Sequence, residues 1–252
     1  MIGCSKSTSK NMSKICFINQ PAGLGDILFC QKIARRAITD FNCETVYWAV
    51  SNTYNYISNY VHNEGVVFQE LSKQQQLGSE IINNDNFLYI PLESSDRVIN
   101  HTNPWAHGHI KYKFFYDTDY SDWKNYFTIT RNLEKENELI QKLKLENGES
   151  FNLINKNFGT YPHFVKTNLI NPKNNLKNVY MDFIDGFNIF DWIGVILKAQ
   201  EIHTVETSLY YILEKLNIVD NVFIYSKYKS QYGINDDYSY MKSHCSPKWN
   251  YF

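Results

Sequence analysis

Residues 14–50 carry the pattern that most limits how this chain can fold. A short apolar, β-rich run at 14–20 ends at Pro21, and a turn with two glycines follows it. Apolar residues then recur at helical spacing up to Phe41, and a second β-rich run occupies 45–50. Strand, glycine turn, helix and strand in this order predict the opening of a parallel α/β unit.

The rest of the chain continues this alternation. Apolar β-rich runs predict further strands at 66–68, 86–92, 151–154, 179–183, 201–205 and 222–225. Helical spacing predicts further helices at 52–60, 131–145, 189–199 and 209–216. We therefore expect an α/β protein of two successive Rossmann-like lobes with a cleft between them. A flexible N-terminal tail at 1–13 precedes a lobe at 14–148, and a second lobe follows at 149–252.

Composition narrows the class of function. The chain has 25 basic and 26 acidic residues, a net charge of −1, so we expect no nucleic acid as its main partner. No run of about 18 apolar residues occurs, so we expect no transmembrane segment. The five cysteines are scattered without a Cys-x-x-Cys pair, which indicates neither a zinc site nor a disulfide framework. A reducing, cytoplasmic location is the expectation.

The first candidate site is the turn Gly23-Leu24-Gly25-Asp26 between the first strand and the first helix. Glycines let the backbone turn sharply and approach a ligand closely. Leu28 stands where a dinucleotide-binding Gly-x-Gly-x-x-Gly motif needs its third glycine, so a nicotinamide dinucleotide is not favoured. The alternative is that Asp26 only caps the helix.

The second candidate is the turn Glu206-Thr207-Ser208 before the predicted helix at 209–216. The N–H groups of Thr207 and Ser208 would point from a helix start towards a phosphate. His203 lies on the strand just before this turn. The alternative makes Ser208 a plain N-cap and His203 a hydrogen-bonded strand residue.

These motifs resemble the heptosyltransferase-type glycosyltransferases, which have the GT-B fold of two Rossmann-like lobes. Their N-terminal signature is a strand, then Gly-x-Gly-Asp-Ile-Leu, then a helix. The segment at 189–208 is similar to the family's late helix, strand and acidic Ser/Thr turn. Leu209 and Tyr210 occupy the place of the glycine and histidine that usually follow that turn.

The resemblance implies a role for each turn. Asp26 would be the general base on an acceptor hydroxyl, beside Gly23, Leu24 and Gly25. The second-lobe turn, with His203, would hold the diphosphate and sugar of a nucleotide-sugar donor. Neither a metal nor a cofactor is implied.

The loop predicted at 155–166 adds candidate donor-binding residues: Lys156, Gly159, Thr160 and Lys166. A lysine there would neutralise the charge that develops on a leaving diphosphate. The alternative is that both lysines are ordinary surface residues.

Trp105 and His107 belong to an aromatic stretch that we interpret as an acceptor-binding loop. His101 and His109 flank them, but no acidic residue has the spacing that a metal site would need. Packing of these rings in the core is the alternative. Arg131 opens the helix between the lobes and is a candidate for binding a phosphate or carboxylate on the acceptor side.

The sequence thus predicts a metal-independent glycosyltransferase that moves a sugar from a nucleotide-sugar donor to a glycan or another hydroxyl acceptor. A non-catalytic glycan- or nucleotide-binding module derived from such an enzyme is the alternative, and the altered residues after Ser208 favour it. A Rossmann-type oxidoreductase is disfavoured by the missing third glycine.

Overall fold

The computed structural model describes residues 13–20, 23–70, 81–92, 120–158, 165–227, 229, 238, 242 and 245–252. Within them the chain is a mixed α/β protein with two five-stranded, mainly parallel sheets. The predicted α/β class is confirmed. The predicted tail at 1–13 lies outside the described residues, apart from Ser13.

The first sheet is built from the first third of the chain. Its strands are β1 (Lys14–Gln20), β2 (Cys43–Val50), β4 (Val66–Glu70), β5 (Ile82–Asn83) and β6 (Phe87–Pro91). Their order is β4-β2-β1-β6-β5, and only β5 runs antiparallel to its neighbour. Pro91 ends its strand, as predicted; it has no N–H of its own to donate to the ladder.

The second sheet is parallel throughout. Its strands are β8 (Phe151–Asn155), β11 (Lys177–Tyr180), β12 (Glu201–Val205), β13 (Val222–Tyr225) and β14 (Asn250–Tyr251), in the order β11-β8-β12-β13-β14. Two short antiparallel pairs complete the described strands: β3 (Val61–His62) with β7 (Thr128–Ile129), and β9 (Asn157–Phe158) with β10 (Val165–Lys166).

Five α-helices lie in the described part of the chain: α1 (Leu24–Phe29), α2 (Gln31–Phe41), α3 (Leu133–Lys142), α4 (Ile193–Ile196) and α5 (Ser208–Lys215). Three 3₁₀ helices accompany them, at Asn52–Asn59, Trp123–Tyr126 and Ile189–Trp192. None of the helices described is both long and apolar enough to cross a bilayer.

One buried apolar cluster includes residues from both sheets and from all five helices. Buried polar contacts also join distant parts of the chain: the Tyr60 hydroxyl donates to Asp191 Oδ1 at 2.6 Å, and the Tyr60 ring stacks on Phe190. Helix α3, which the predicted boundary at 148 assigns to the first lobe, packs against α4, where Glu136 contacts Gly194.

Several predicted elements differ from the structure. The helix predicted at 189–199 is a 3₁₀ turn followed by the four-residue α4, and the strand predicted at 179–183 runs over Lys177–Tyr180. The segment at 155–166, predicted to be a loop, contains β9 and β10. Each is only two residues long and depends on its tertiary partner, so it has no period to detect in the sequence.

Candidate functional site

Asp26 lies in the first turn of α1, at the carboxyl end of β1. Gly23 precedes the helix in an extended conformation, and the Asp26 N–H donates to its carbonyl at 3.0 Å. The side chain of Asp26 is half-buried. A carboxylate in the first turn interacts favourably with the positive end of the helix dipole.

The second predicted turn begins α5 at the carboxyl end of β12. Thr207 is the N-cap, with its Oγ1 accepting from the Leu209 N–H, so the alternative that Ser208 caps this helix is wrong. Ser208 is instead the first helical residue. The N–H groups of Thr207 and Ser208 donate to no group in the described part of the chain. Both remain available to an acceptor from outside, as expected of a helix start.

Asn155 fixes this cap; it begins the candidate loop predicted at 155–166, where no role was assigned to it. It ends β8, and its Nδ2 donates to Thr204 Oγ1 at 3.0 Å and to Thr207 Oγ1 at 3.2 Å. The side chain therefore ties the carboxyl ends of two neighbouring strands to the start of α5. Asn155 is the last residue of β8, a polar side chain at the end of a mostly apolar strand.

The two predicted turns touch each other. A Cβ placed on Gly25 would lie 2.9 Å from Tyr211 Cε2 and 3.4 Å from the Cα of Ser208. Since α1 follows β1 and α5 follows β12, the contact brings the carboxyl ends of one strand from each sheet towards the same place. Carboxyl ends of parallel strands are where open α/β sheets bind their ligands.

Two buried polar side chains mark the carboxyl end of β1. Gln20 is fully buried, and neither its amide oxygen nor its amide nitrogen has a hydrogen-bond partner among the described residues. Asn19 Nδ2 donates to the Tyr89 hydroxyl at 3.3 Å, while its Oδ1 has no partner in the same part of the chain. Buried polar atoms without partners are uncommon and often face a ligand or water. Neither residue was predicted from the sequence.

The predicted lysines lie near the carboxyl ends of β8 and β11. Lys166 Nζ is 3.4 Å from Asp182 Oδ1, and Lys156 Nζ lies over the ring of Tyr180. Asn157 holds Asp182 in place with a hydrogen bond of 3.0 Å. Gly159 and Thr160 are outside the described residues.

Arg131 is engaged within the protein. Its Nε donates to Glu136 Oε1 at 2.9 Å, and Glu136 is buried. The hydrogen bond to this carboxylate raises the pKa of Arg131 above its ordinary value. The other predicted acceptor-side residues, Trp105 and His107, lie outside the described residues, as do His101 and His109.

His203 lies in the middle of β12 and turns away from the predicted donor turn. Its Nε2 is 3.0 Å from Glu201 Oε2, and its Nδ1 is 3.2 Å from the Tyr225 hydroxyl. Burial lowers the pKa of His203, and the hydrogen bond to Glu201 offsets part of that effect. A neutral ring fits both contacts, because Nε2–H donates to Glu201 and Nδ1 accepts from Tyr225.

His203, Glu201 and Tyr225 line a cavity of about 560 Å³ on the second sheet. Phe223, Phe252 and Lys173 also line it. None of the lining residues that the structure describes belongs to the turn at 206–208. In the same described part of the chain, no cluster of three His, Cys, Asp or Glu side chains is placed to hold a metal ion.

Comparison with known proteins found no match: no protein-family model, no curated protein and no solved structure matches this chain.

Proposed function

We propose that the chain is a metal-independent glycosyltransferase of the two-lobed GT-B type, similar to the heptosyltransferases. It would move a sugar from a nucleotide-sugar donor to a glycan or another hydroxyl acceptor. The observation that supports this proposal is the contact between Gly25 and Ser208, which joins the turn implied for the acceptor to the turn implied for the donor.

In this mechanism Asp26 accepts the proton of the acceptor hydroxyl as that oxygen attacks the anomeric carbon of the donor sugar. The bond from the anomeric carbon to the phosphate oxygen breaks, and the nucleoside diphosphate leaves with the electron pair. Asp26 is half-buried in the first turn of α1, beside the predicted acceptor turn.

The start of α5 would stabilise the leaving diphosphate. The N–H groups of Thr207 and Ser208 have no acceptor in the described part of the chain, and they point out of a helix N-terminus. Lys156 and Lys166 lie by the neighbouring strand ends and would add positive charge. Gln20 and Asn19 are further candidates to bind the acceptor, because both side-chain amide atoms of Gln20 and the Oδ1 of Asn19 lack partners among the described residues.

One substitution removes a single proposed phosphate donor without removing the helix. Proline is favoured at the first helical position, and Thr207 before it is already extended (φ −143°, ψ −175°), so Ser208→Pro should fold. It deletes the Ser208 N–H, whereas the matched control Ser208→Ala deletes only the hydroxyl.

We expect Ser208→Pro to weaken nucleoside diphosphate binding by at least tenfold, about 1.4 kcal/mol, and Ser208→Ala to leave it nearly unchanged. Calorimetric titration with UDP, GDP, ADP and CDP measures this. Equal affinities of the two variants for every ligand would show that the start of α5 is not the donor site.

A non-catalytic glycan- or nucleotide-binding module is the second candidate. One observation favours it: the buried ring of Tyr211, a residue of α5, lies directly against Gly25 and takes up space beside the predicted acceptor turn. Binding of nucleotide sugars or free glycans without any turnover would support this module. Release of nucleoside diphosphate that depends on an added acceptor would support the transferase.

A further inference from the structure

The second sheet has two differently covered faces. Ile202, Val222 and Ile224 point into the main apolar cluster, together with α5. Tyr225 and Phe223 belong to the opposite face, in a small separate cluster with Ile154 and Ile170. Residues 169–174 of the connection between β8 and β11 lie over this opposite face and line a cavity on it.

The cavity of about 560 Å³ lies on that face and has the size of a small-molecule site. Its wall is aromatic: His203 stacks on Phe223 with ring centroids 4.4 Å apart, and Phe252 stacks on Tyr225 at 5.3 Å. Phe252 is 53% exposed and lies at the edge of this aromatic wall, stacked on both Tyr225 and Phe223.

The carboxylate of Glu201 uses one oxygen for two hydrogen bonds within the protein and leaves the other without a described partner. Glu201 Oε2 accepts from His203 Nε2 and from Asn174 Nδ2, the latter at 2.6 Å. Glu201 Oε1 accepts no hydrogen bond from a described residue. A fixed carboxylate oxygen of this kind selects a ligand that presents an N–H or O–H group.

Two cations complete the lining. Lys173 and Lys229 are both exposed, and neither Nζ pairs with a carboxylate in the described part of the chain. Among the side chains that line the cavity, the two lysines outnumber the single carboxylate of Glu201, and His203 is neutral. An anionic group on the ligand would therefore be favoured over a neutral sugar.

We propose that this cavity binds a nucleoside monophosphate, with the base on the aromatic wall, a base N–H donating to Glu201 Oε1 and the phosphate near Lys173 and Lys229. A flat ring, a donor edge and a negative charge are the three features that the lining selects. The site is separate from the turns at Asp26 and Ser208 and does not rest on the glycosyltransferase proposal.

The test is calorimetric titration with AMP, GMP, UMP and CMP, with the parent nucleosides and inorganic phosphate as partial ligands. Wild type and Ser208→Pro are both titrated. Ser208→Pro lacks a proposed phosphate donor at the start of α5, so binding at α5 can be told apart from binding in the cavity. We expect at least one nucleotide to bind both proteins with a dissociation constant below about 1 mM. Its nucleoside and inorganic phosphate should each bind at least tenfold more weakly.

Variants then locate the bound nucleotide. Phe252→Ala should weaken binding at least fivefold, about 1 kcal/mol, because stacking of the base is lost. Lys173→Gln should weaken binding of the nucleotide but not of the nucleoside. The matched control is Phe183→Ala, whose side chain is also 53% exposed but follows the carboxyl end of β11 and does not line the cavity.

Three results would overturn the proposal. The first is that none of the four nucleotides binds below about 1 mM. The second is that Phe252→Ala binds as tightly as Phe183→Ala. The third is that binding disappears in Ser208→Pro but persists in Phe252→Ala, which would place the nucleotide at the start of α5 and would support the donor site instead.

Discussion

The backbone of Gly25 lies directly against the ring of Tyr211: a Cβ on Gly25 would stand 2.9 Å from Cε2 and 3.1 Å from Cδ2. Tyr211 is itself packed against Phe29 and Trp123, with ring centroids 5.5 and 5.2 Å away. The ring has little room to move, because its neighbours are also buried. The contact therefore fixes the distance between α1 and α5.

Gly25→Ala should destabilise the protein. The added methyl group overpacks a rigid contact, which typically costs about 1–3 kcal/mol, while alanine regains up to ~1 kcal/mol of helix propensity. A net loss of about 1 kcal/mol in the free energy of unfolding is expected in urea titrations. Combining it with Tyr211→Leu should remove most of this loss, since the clashing ring is gone. Strictly additive effects of the two substitutions would show that the contact is not tight.

Tyr60→Phe should also destabilise the protein, through loss of the hydrogen bond to Asp191. Asp191 is 1% exposed, so its Oδ1 would lose a donor in a buried place, at a cost of about 1–3 kcal/mol. Tyr56→Phe is the matched control, because the Tyr56 hydroxyl makes no hydrogen bond with a described residue. Thermal unfolding should show a lower Tm for Tyr60→Phe alone. Equal Tm values for both variants would contradict this role of Tyr60.

His203 should make the protein less stable in mild acid. Burial lowers its pKa in the folded state, whereas the unfolded chain keeps a value near 6.5. As the pH falls below about 6.5, the unfolded state therefore takes up the proton first, and stability declines until the folded ring also protonates. Above that pH the effect is absent.

The measurement is the difference in Tm between pH 7.5 and pH 5.5. His203→Gln should show a smaller difference than wild type, and the exposed control His62→Gln should match wild type. A His203→Gln variant with the full wild-type difference would mean that other groups cause the acid sensitivity.

Much of the fold followed from local patterns. The strands at Lys14–Gln20, Glu201–Val205 and Val222–Tyr225 were predicted with their observed bounds, because each is a short run rich in apolar and β-branched residues between turn residues. The break between α1 and α2 at Cys30 was not predicted. Apolar spacing continues through it, so periodicity alone does not reveal the end of the first helix.

The site was predicted less completely. Asp26 and Ser208 could be chosen as candidates because glycine turns and helix starts have sequence signals. Gln20 was not predicted, and Asn155 was named only as part of a candidate loop, since their contacts depend on burial and on neighbouring strands. The cavity at His203 was also missed, because it exists only where residues of β12, β13, Phe252 and residues 169–174 come together on one face of the second sheet.

The most direct measurement of the proposed function is acceptor-dependent release of nucleoside diphosphate from a panel of UDP-, GDP-, ADP- and CMP-sugars, with nucleoside monophosphate as the product from the last. Wild type and Asp26→Asn are compared, with circular dichroism and calorimetric donor binding as controls for folding. We predict that Asp26→Asn binds the donor normally and transfers at least ~100-fold more slowly, since a general base contributes about that factor or more. An unchanged transfer rate in folded Asp26→Asn, or no transfer by wild type with any donor, would contradict the proposed mechanism.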